Sequence, residues 1–250
     1  MRHRAFTLVE LLVVIGIIAV LLGILLPTIA GSRRSAVRVQ CASNLRQQVM
    51  TMHVYANEHR GFLPRYDPFL LPPAATSTDT GANSIDLANA WYDAMLTRYK
   101  QPHDLLFCPD ATDELKSRKY NLFSYIIAGY SHWVPRRDAD LMYPPAETVG
   151  AYLVNGSDPI QGPVRLGDRL AKTNPVLSDS VLVIKERVVD PTSYNLATAP
   201  QSDFQIDLSH HLHRGRLTGA NLAWIDGHVE WRPPRELKLR YLSQNSWNCW

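Results

Sequence analysis

One apolar stretch decides what this chain can become. Residues 6–26 read Phe-Thr-Leu-Val-Glu-Leu-Leu-Val-Val-Ile-Gly-Ile-Ile-Ala-Val-Leu-Leu-Gly-Ile-Leu-Leu, Pro27 follows, and the block continues to Ala30 with Glu10 as its single charge. From residue 11 to residue 26 no side chain carries a charge or a hydrogen-bonding group. A helix of roughly 20 such residues spans a ~30 Å hydrocarbon core, so the block reads as a membrane helix. Arg2, His3 and Arg4 precede it as a short basic leader.

A secretory signal peptide and a plain anchor are two bland readings of this start. Neither uses Glu10. A carboxylate inside a membrane helix costs a few kcal/mol on insertion scales and marks function or pairing. Only Thr28-Ile29-Ala30-Gly31 offers a weak small-residue cleavage site after the block. Cleavage before the block, after Ala5, uses every feature. It gives Phe6 a new α-amino cation one helical turn from Glu10, at a spacing where opposite charges meet. In lipid, Glu10 of one subunit can equally meet the Phe6 amine of a neighbour. A buried charge that finds its partner only on assembly sets register.

The run Ala-Phe-Thr-Leu-Val-Glu-Leu-Leu-Val-Val-Ile resembles the signal of type IV pilins and type II secretion pseudopilins. That resemblance implies a prepilin peptidase that cuts between Ala5 and Phe6 and methylates the new amine. It implies an assembly role for Phe6 and Glu10, the latter being the fifth mature residue, and a proline where Pro27 stands. Proline's missing N–H and its ring lead to the expectation of a helix kink at Pro27. Ala5 stands where the family usually has Gly. The implied partners are the peptidase, other pilin-like subunits and an assembly platform in the bacterial inner membrane. The protein would cross that membrane once, with its head in the periplasm or outside the cell.

The helix is expected to continue past Pro27, because membrane helices tolerate proline. Val37, Cys41, Leu45, Val49, Met52 and Ala56 recur at spacings of three and four, with Arg38, Gln40, Arg46 and Gln47 off that stripe. The rod should run from Phe6 to about Glu58 or His59, stop at Gly61 and measure roughly 80 Å. Its stripe needs a head to pack on. The expected divisions are a leader over 1–5, a transmembrane helix over 6–30, an amphipathic stem over 31–60 and an α+β head with a small antiparallel sheet over 61–250.

Within the head, residues 62–84 read as a proline-rich loop and residues 85–100 as a short helix built on Leu87, Trp91, Met95 and Tyr99. Residues 105–109 read as a brief buried segment and 123–130 as a core strand. Short apolar runs at 149–154, 175–178 and 181–184 suggest further strands. Residues 192–206 look like a polar connection. Asp226-Gly227, between alternating residues, signals a two-residue hairpin turn. That turn pairs Ile225 with His228, Trp224 with Val229 and Leu222 with Trp231, and puts Leu222, Trp224, Val229 and Trp231 on one face.

This tail resembles pilin-like proteins of planctomycete-type bacteria, which end in a His, nine residues, then Asp-Gly. The resemblance points to His213, Asp226 and Gly227, although twelve residues separate His213 from Asp226. Asn44-Leu45-Arg46, Phe107-Cys108-Pro109 and Ser178-Asp179 look like the same subgroup.

The remaining chemistry reads as structural. Three cysteines lie beyond the apolar block. Cys41 on the stem stripe and Cys108 at the end of a buried segment can meet in a disulfide; the alternative is two buried thiols. Cys249 is expected as a spare thiol. His210, His211, His213 and His228 with Asp226 form no convincing ligand spacing, and no loop shows a calcium pattern, so no metal and no cofactor are expected. No catalytic motif is present, so no catalytic residue is assigned. Most tryptophans read as core or edge aromatics, with Trp247 and Trp250 expected at the surface. The net charge of +3 comes from scattered basic residues and is no argument for nucleic acid, and the membrane block speaks against a cytosolic nucleic-acid binder. The expected function is a pseudopilin or minor pilin of a secretion or pilus filament. The alternative is a membrane-anchored extracellular binding module delivered by the same signal.

Overall fold

The structure is a computed structural model that describes residues 8–64, 86–111, 125–127, 129–132, 165–167, 174–184, 187–188, 193–204, 209–242 and 246–249. The protein is mixed α+β: a long N-terminal helix followed by a region with small antiparallel sheets. The chain divides into two compact units, Met1–Val39 and Gln40–Trp250.

Helix α1 spans Leu8–Glu58 without interruption, 51 residues in all. It stays helical at position 27; nearby, Thr28 Oγ1 donates to the Leu25 carbonyl and Ser32 Oγ to the Thr28 carbonyl. Leu11, Val14, Ile18, Leu22 and Leu25 are all exposed. This is the one helix long and apolar enough to cross a membrane among the described residues. The helix ends where backbone geometry demands it. Arg60 and Gly61 take positive φ, 56° and 84°, and the Gly61 N–H closes on the Ala56 carbonyl. Glycine enters that left-handed conformation without a Cβ penalty.

The second unit uses the last part of α1 as its spine. Cys41, Leu45, Val49, Met52 and Ala56 are fully buried, and so, nearly, are Asn44, Gln48 and Thr51. The sequence stripe omitted these three polar residues, yet they share the buried face: Asn44 lies three positions from Cys41, Gln48 three from Leu45, and Thr51 three from Gln48.

The head departs from the expected elements in several places. The region 85–100 is not one helix: strand β1 (Asp86–Ala88) precedes α2 (Asn89–Asp93), which widens into a π-helix over Ala94–Arg98. Strand β1 is held by β2 (Tyr125–Ile127), so Leu87 belongs to a strand. The 123–130 run breaks into β2 and β3 (Tyr130–His132), because Gly129 donates to Leu106 O between them. Residues 103–106 form a 3-10 turn. The run 149–154 lies outside the described residues.

Strands β4 (Leu177–Asp179) and β5 (Leu182–Ile184) follow. The connection around residue 200 is less polar than it reads, since Leu196, Ala199 and Phe204 join the core with Val181, Val183 and Leu217. A small hairpin, β6 (Leu212–His213) with β7 (Arg216–Leu217), leads to β8 (Ala220–Ala223) and β9 (Val229–Arg232). The larger sheet has the order β3-β4-β8-β9. Its inner strand β8 is buried at every position. Strands β10 (Leu239–Leu242) and β11 (Ser246–Cys249) complete a second sheet, ordered β10-β11-β5.

The β8–β9 register corrects the expected pairing. Ala223 pairs with Val229, Leu222 with Glu230 and Asn221 with Trp231. Trp224 N donates to His228 O, and Gly227 N donates to Trp224 O. The loop therefore has three residues, Ile225, Asp226 and Gly227, with Gly227 at φ 88°. This is a type I turn extended by a left-handed glycine, the next most common hairpin after the two-residue loop. A one-residue slip moves side chains to the opposite face, so Leu222 and Trp231 do not share one.

Candidate functional site

Two places carry the residues singled out in the sequence. The first is the N-terminus. Ala5 and Phe6 lie outside the described residues. Glu10 occupies the first turn of α1 and is exposed. The side chain of Pro27 is likewise outside the described residues.

The second place is a buried polar centre in the head. The stem holds the segment 105–108 through side-chain amides. Gln48 Nε2 donates to Leu105 O at 2.9 Å, and Asn44 Nδ2 donates to Phe107 O at 3.2 Å and to Tyr130 Oη at 3.1 Å. Tyr130 Oη also donates to Phe107 O. These bonds satisfy carbonyls that no regular strand would pair. Burial holds the Tyr130 phenol well above its usual range. Cys41 and Cys108 are joined by a disulfide, with their Cα atoms 5.3 Å apart.

Asp179 stands against this disulfide at the end of β4. Its Oδ2 accepts from Asn221 N at 2.6 Å and Asn221 Nδ2 at 2.8 Å, and lies 2.9 Å from His211 Nε2. The same His211 nitrogen lies 3.9 Å from Cys108 Sγ. The His211 ring packs against the Trp231 ring edge-on, with centroids 5.2 Å apart, and its backbone is left-handed at φ 59°. His210, beside it, is fully enclosed, and burial lowers its pKa from 6.5 to about 4.

The histidines and Asp226 do not converge. His213 is half-buried in β6 opposite Arg216. Asp226 serves its own turn, accepting from His228 N at 3.0 Å and contacting His228 Nδ1 at 2.6 Å. The backbone bond from His228 holds the Asp226 carboxyl below its usual range. His228 stacks on Trp224 at the surface. The histidine that the fold buries beside a carboxylate is thus His211, two positions upstream of His213. Asp179 had a visible signal, being the one charge in the apolar run Val176 to Val183. His211 stood out only within the histidine tract, whose spacing pointed to no ligand set, and Asn221 had no signal. Cys249 is a free thiol, but it is buried in the core, and burial raises its pKa. The side chains of Trp247 and Trp250 lie outside the described residues.

Residues 1–26 match a known family description, the prokaryotic N-terminal methylation motif. The chain carries a prepilin-type signal. With the long helix that follows it, the protein is consistent with a type IV pilin-like protein. A prepilin-type signal implies processing by prepilin peptidase and pilin-like assembly, and the apolar helix is consistent with a single-pass membrane anchor. No curated protein and no solved structure matches the chain.

Proposed function

We propose that this chain is a structural subunit, a pseudopilin or minor pilin, of a type II secretion or type IV pilus-like filament. Prepilin peptidase removes residues 1–5 and methylates the Phe6 amine. Residues 6–30 hold the subunit in the bacterial inner membrane, and the head lies in the periplasm or outside the cell. Subunits assemble side by side through their apolar helices, with Glu10 of one facing the Phe6 amine of the next. The observation that carries this reading is the methylation motif over residues 1–26, running into an apolar helix whose only charge before Arg33 is Glu10. The reading assigns the chain no catalytic residue, and the partners are the peptidase, sister subunits and the assembly platform.

Glu10→Leu separates assembly from insertion. The substitution makes the segment more apolar, so insertion is retained. Cleavage before Phe6 also survives. Assembly fails, because an unpaired cation in a lipid-packed bundle costs roughly 3–5 kcal/mol, or two to three powers of ten per subunit added. Cross-linking in membranes should therefore yield processed monomers and no ladder. A ladder equal to wild type would show that Glu10 is not the group that pairs subunits in assembly.

A further inference from the structure

The polar centre of the head holds a donor set that a disulfide alone does not require. Cys41, Cys108, Asp179 and His211 are all buried, and their donor atoms lie within 4.8 Å of one another. They arrive from four separate segments: α1, the stretch after the 3-10 turn, the end of β4 and the residue before β6. Asp179 is fully enclosed, and its Oδ1 has no hydrogen-bond partner among the described residues. An orphaned oxygen on a buried carboxylate is costly, and a native structure keeps such an atom for a reason.

We propose that the dithiol form of the head binds one zinc-class divalent cation through Cys41, Cys108, Asp179 and His211, so that disulfide and metal are alternative states of one site. Two sulfurs, an imidazole and a carboxylate match the tetrahedral set of zinc. Calcium and magnesium take oxygen ligands, and soft thiolates select against them. Two thiolates on one zinc stand about 3.8 Å apart, so the two sulfurs that the disulfide joins must move apart on reduction, while the other donors, already within 4.8 Å, draw in. His211 Nε2 already faces both Cys108 and Asp179. It becomes the ligand with its proton on Nδ1.

The chemistry balances in both directions. Cysteines are made as thiols, so the metal state needs no reductant. Binding releases one proton from each thiol. Forming the disulfide from the metal-bound dithiolate removes two electrons and no protons; a partner disulfide accepts those electrons and takes two protons from solvent as it becomes two thiols. The cation then loses two of its four ligands and leaves. This inference goes beyond the filament reading and does not depend on it.

The test uses the full-length protein in detergent, stripped of metal and reduced with a phosphine. Cobalt(II) is titrated as the probe and zinc as the competitor. One equivalent of cobalt should give a thiolate charge-transfer band and tetrahedral visible bands, and zinc should bleach both. Affinity should exceed that of the disulfide form by at least about a hundredfold, and Asp179→Asn or His211→Gln should each weaken it by about tenfold or more. Near-UV circular dichroism reports whether the reduced head stays folded. A folded, reduced head that takes up no cobalt overturns the proposal. So does an unfolded one that cobalt does not restore, or equal cobalt binding in the disulfide form or in both variants.

Discussion

Asp179 and Asn221 meet twice on one oxygen: the Asn221 backbone N–H and side-chain amide both donate to Asp179 Oδ2, at 2.6 and 2.8 Å. The contact continues the β4–β8 ladder. Leu177 pairs with Ala223 and Ser178 with Leu222, so the next pair in register is Asp179 with Asn221. There a carboxylate takes the N–H that a strand carbonyl would otherwise accept. Asn221→Ala keeps the backbone bond and deletes the amide. Hydrogen bonds to charged groups contribute about 1.5–3 kcal/mol, and denaturant unfolding should show a loss of that size. A loss under about 0.5 kcal/mol would show that water replaces the amide freely.

Gly129 lies where two backbones cross. A Cβ there would stand 2.8 Å from Phe107 Cα and 3.0 Å from Cys108 N. Neither neighbour is a side chain that can swing away. Gly129→Ala should therefore push β3 off the 105–108 segment, weaken the Gly129 N–H bond to Leu106 O and cost about 1–3 kcal/mol. Thermal melting of the variant beside wild type measures it. An unchanged midpoint would mean that the crossing is looser than the structure has it.

His210 makes the head sensitive to mild acid. Enclosure lowers its folded pKa to about 4, and the Asp179 charge opposes that shift. The unfolded chain binds this proton near pH 6.5, so between these values the unfolded state holds more protons. Stability from this group is full above pH 6.5 and falls as pH drops toward about 4, by roughly 3 kcal/mol in total. His210→Gln should flatten that part of the stability profile. Parallel wild-type and variant slopes between pH 6.5 and 4 would contradict the assignment.

Local signals in the sequence reached as far as local structure goes. The stem was legible because Cys41 to Ala56 repeats with the helical period, and its end because Gly61 supplies the positive φ. The β8–β9 turn was legible from Asp226-Gly227. Its register was not, since a three-residue loop with a left-handed glycine carries the same dipeptide as a two-residue one. The core role of Leu196, Ala199 and Phe204 was hidden because apolar residues in irregular chain follow no period. Least legible was the buried centre. Cys41, Cys108, Asp179 and His211 sit on four segments far apart in sequence, and only tertiary folding brings them within reach. The His that matters there is set by a left-handed backbone at His211, which no spacing rule toward Asp226 foretells.

The prepilin reading rests on two covalent events at the N-terminus, cleavage before Phe6 and methylation of the new amine. Intact and N-terminal peptide mass spectrometry of the protein purified from native membranes measures both directly. The account predicts a chain that begins at Phe6 and carries one methyl group on its amine. A chain that begins near Ala30 or Gly31 would contradict it, showing an ordinary signal peptide instead.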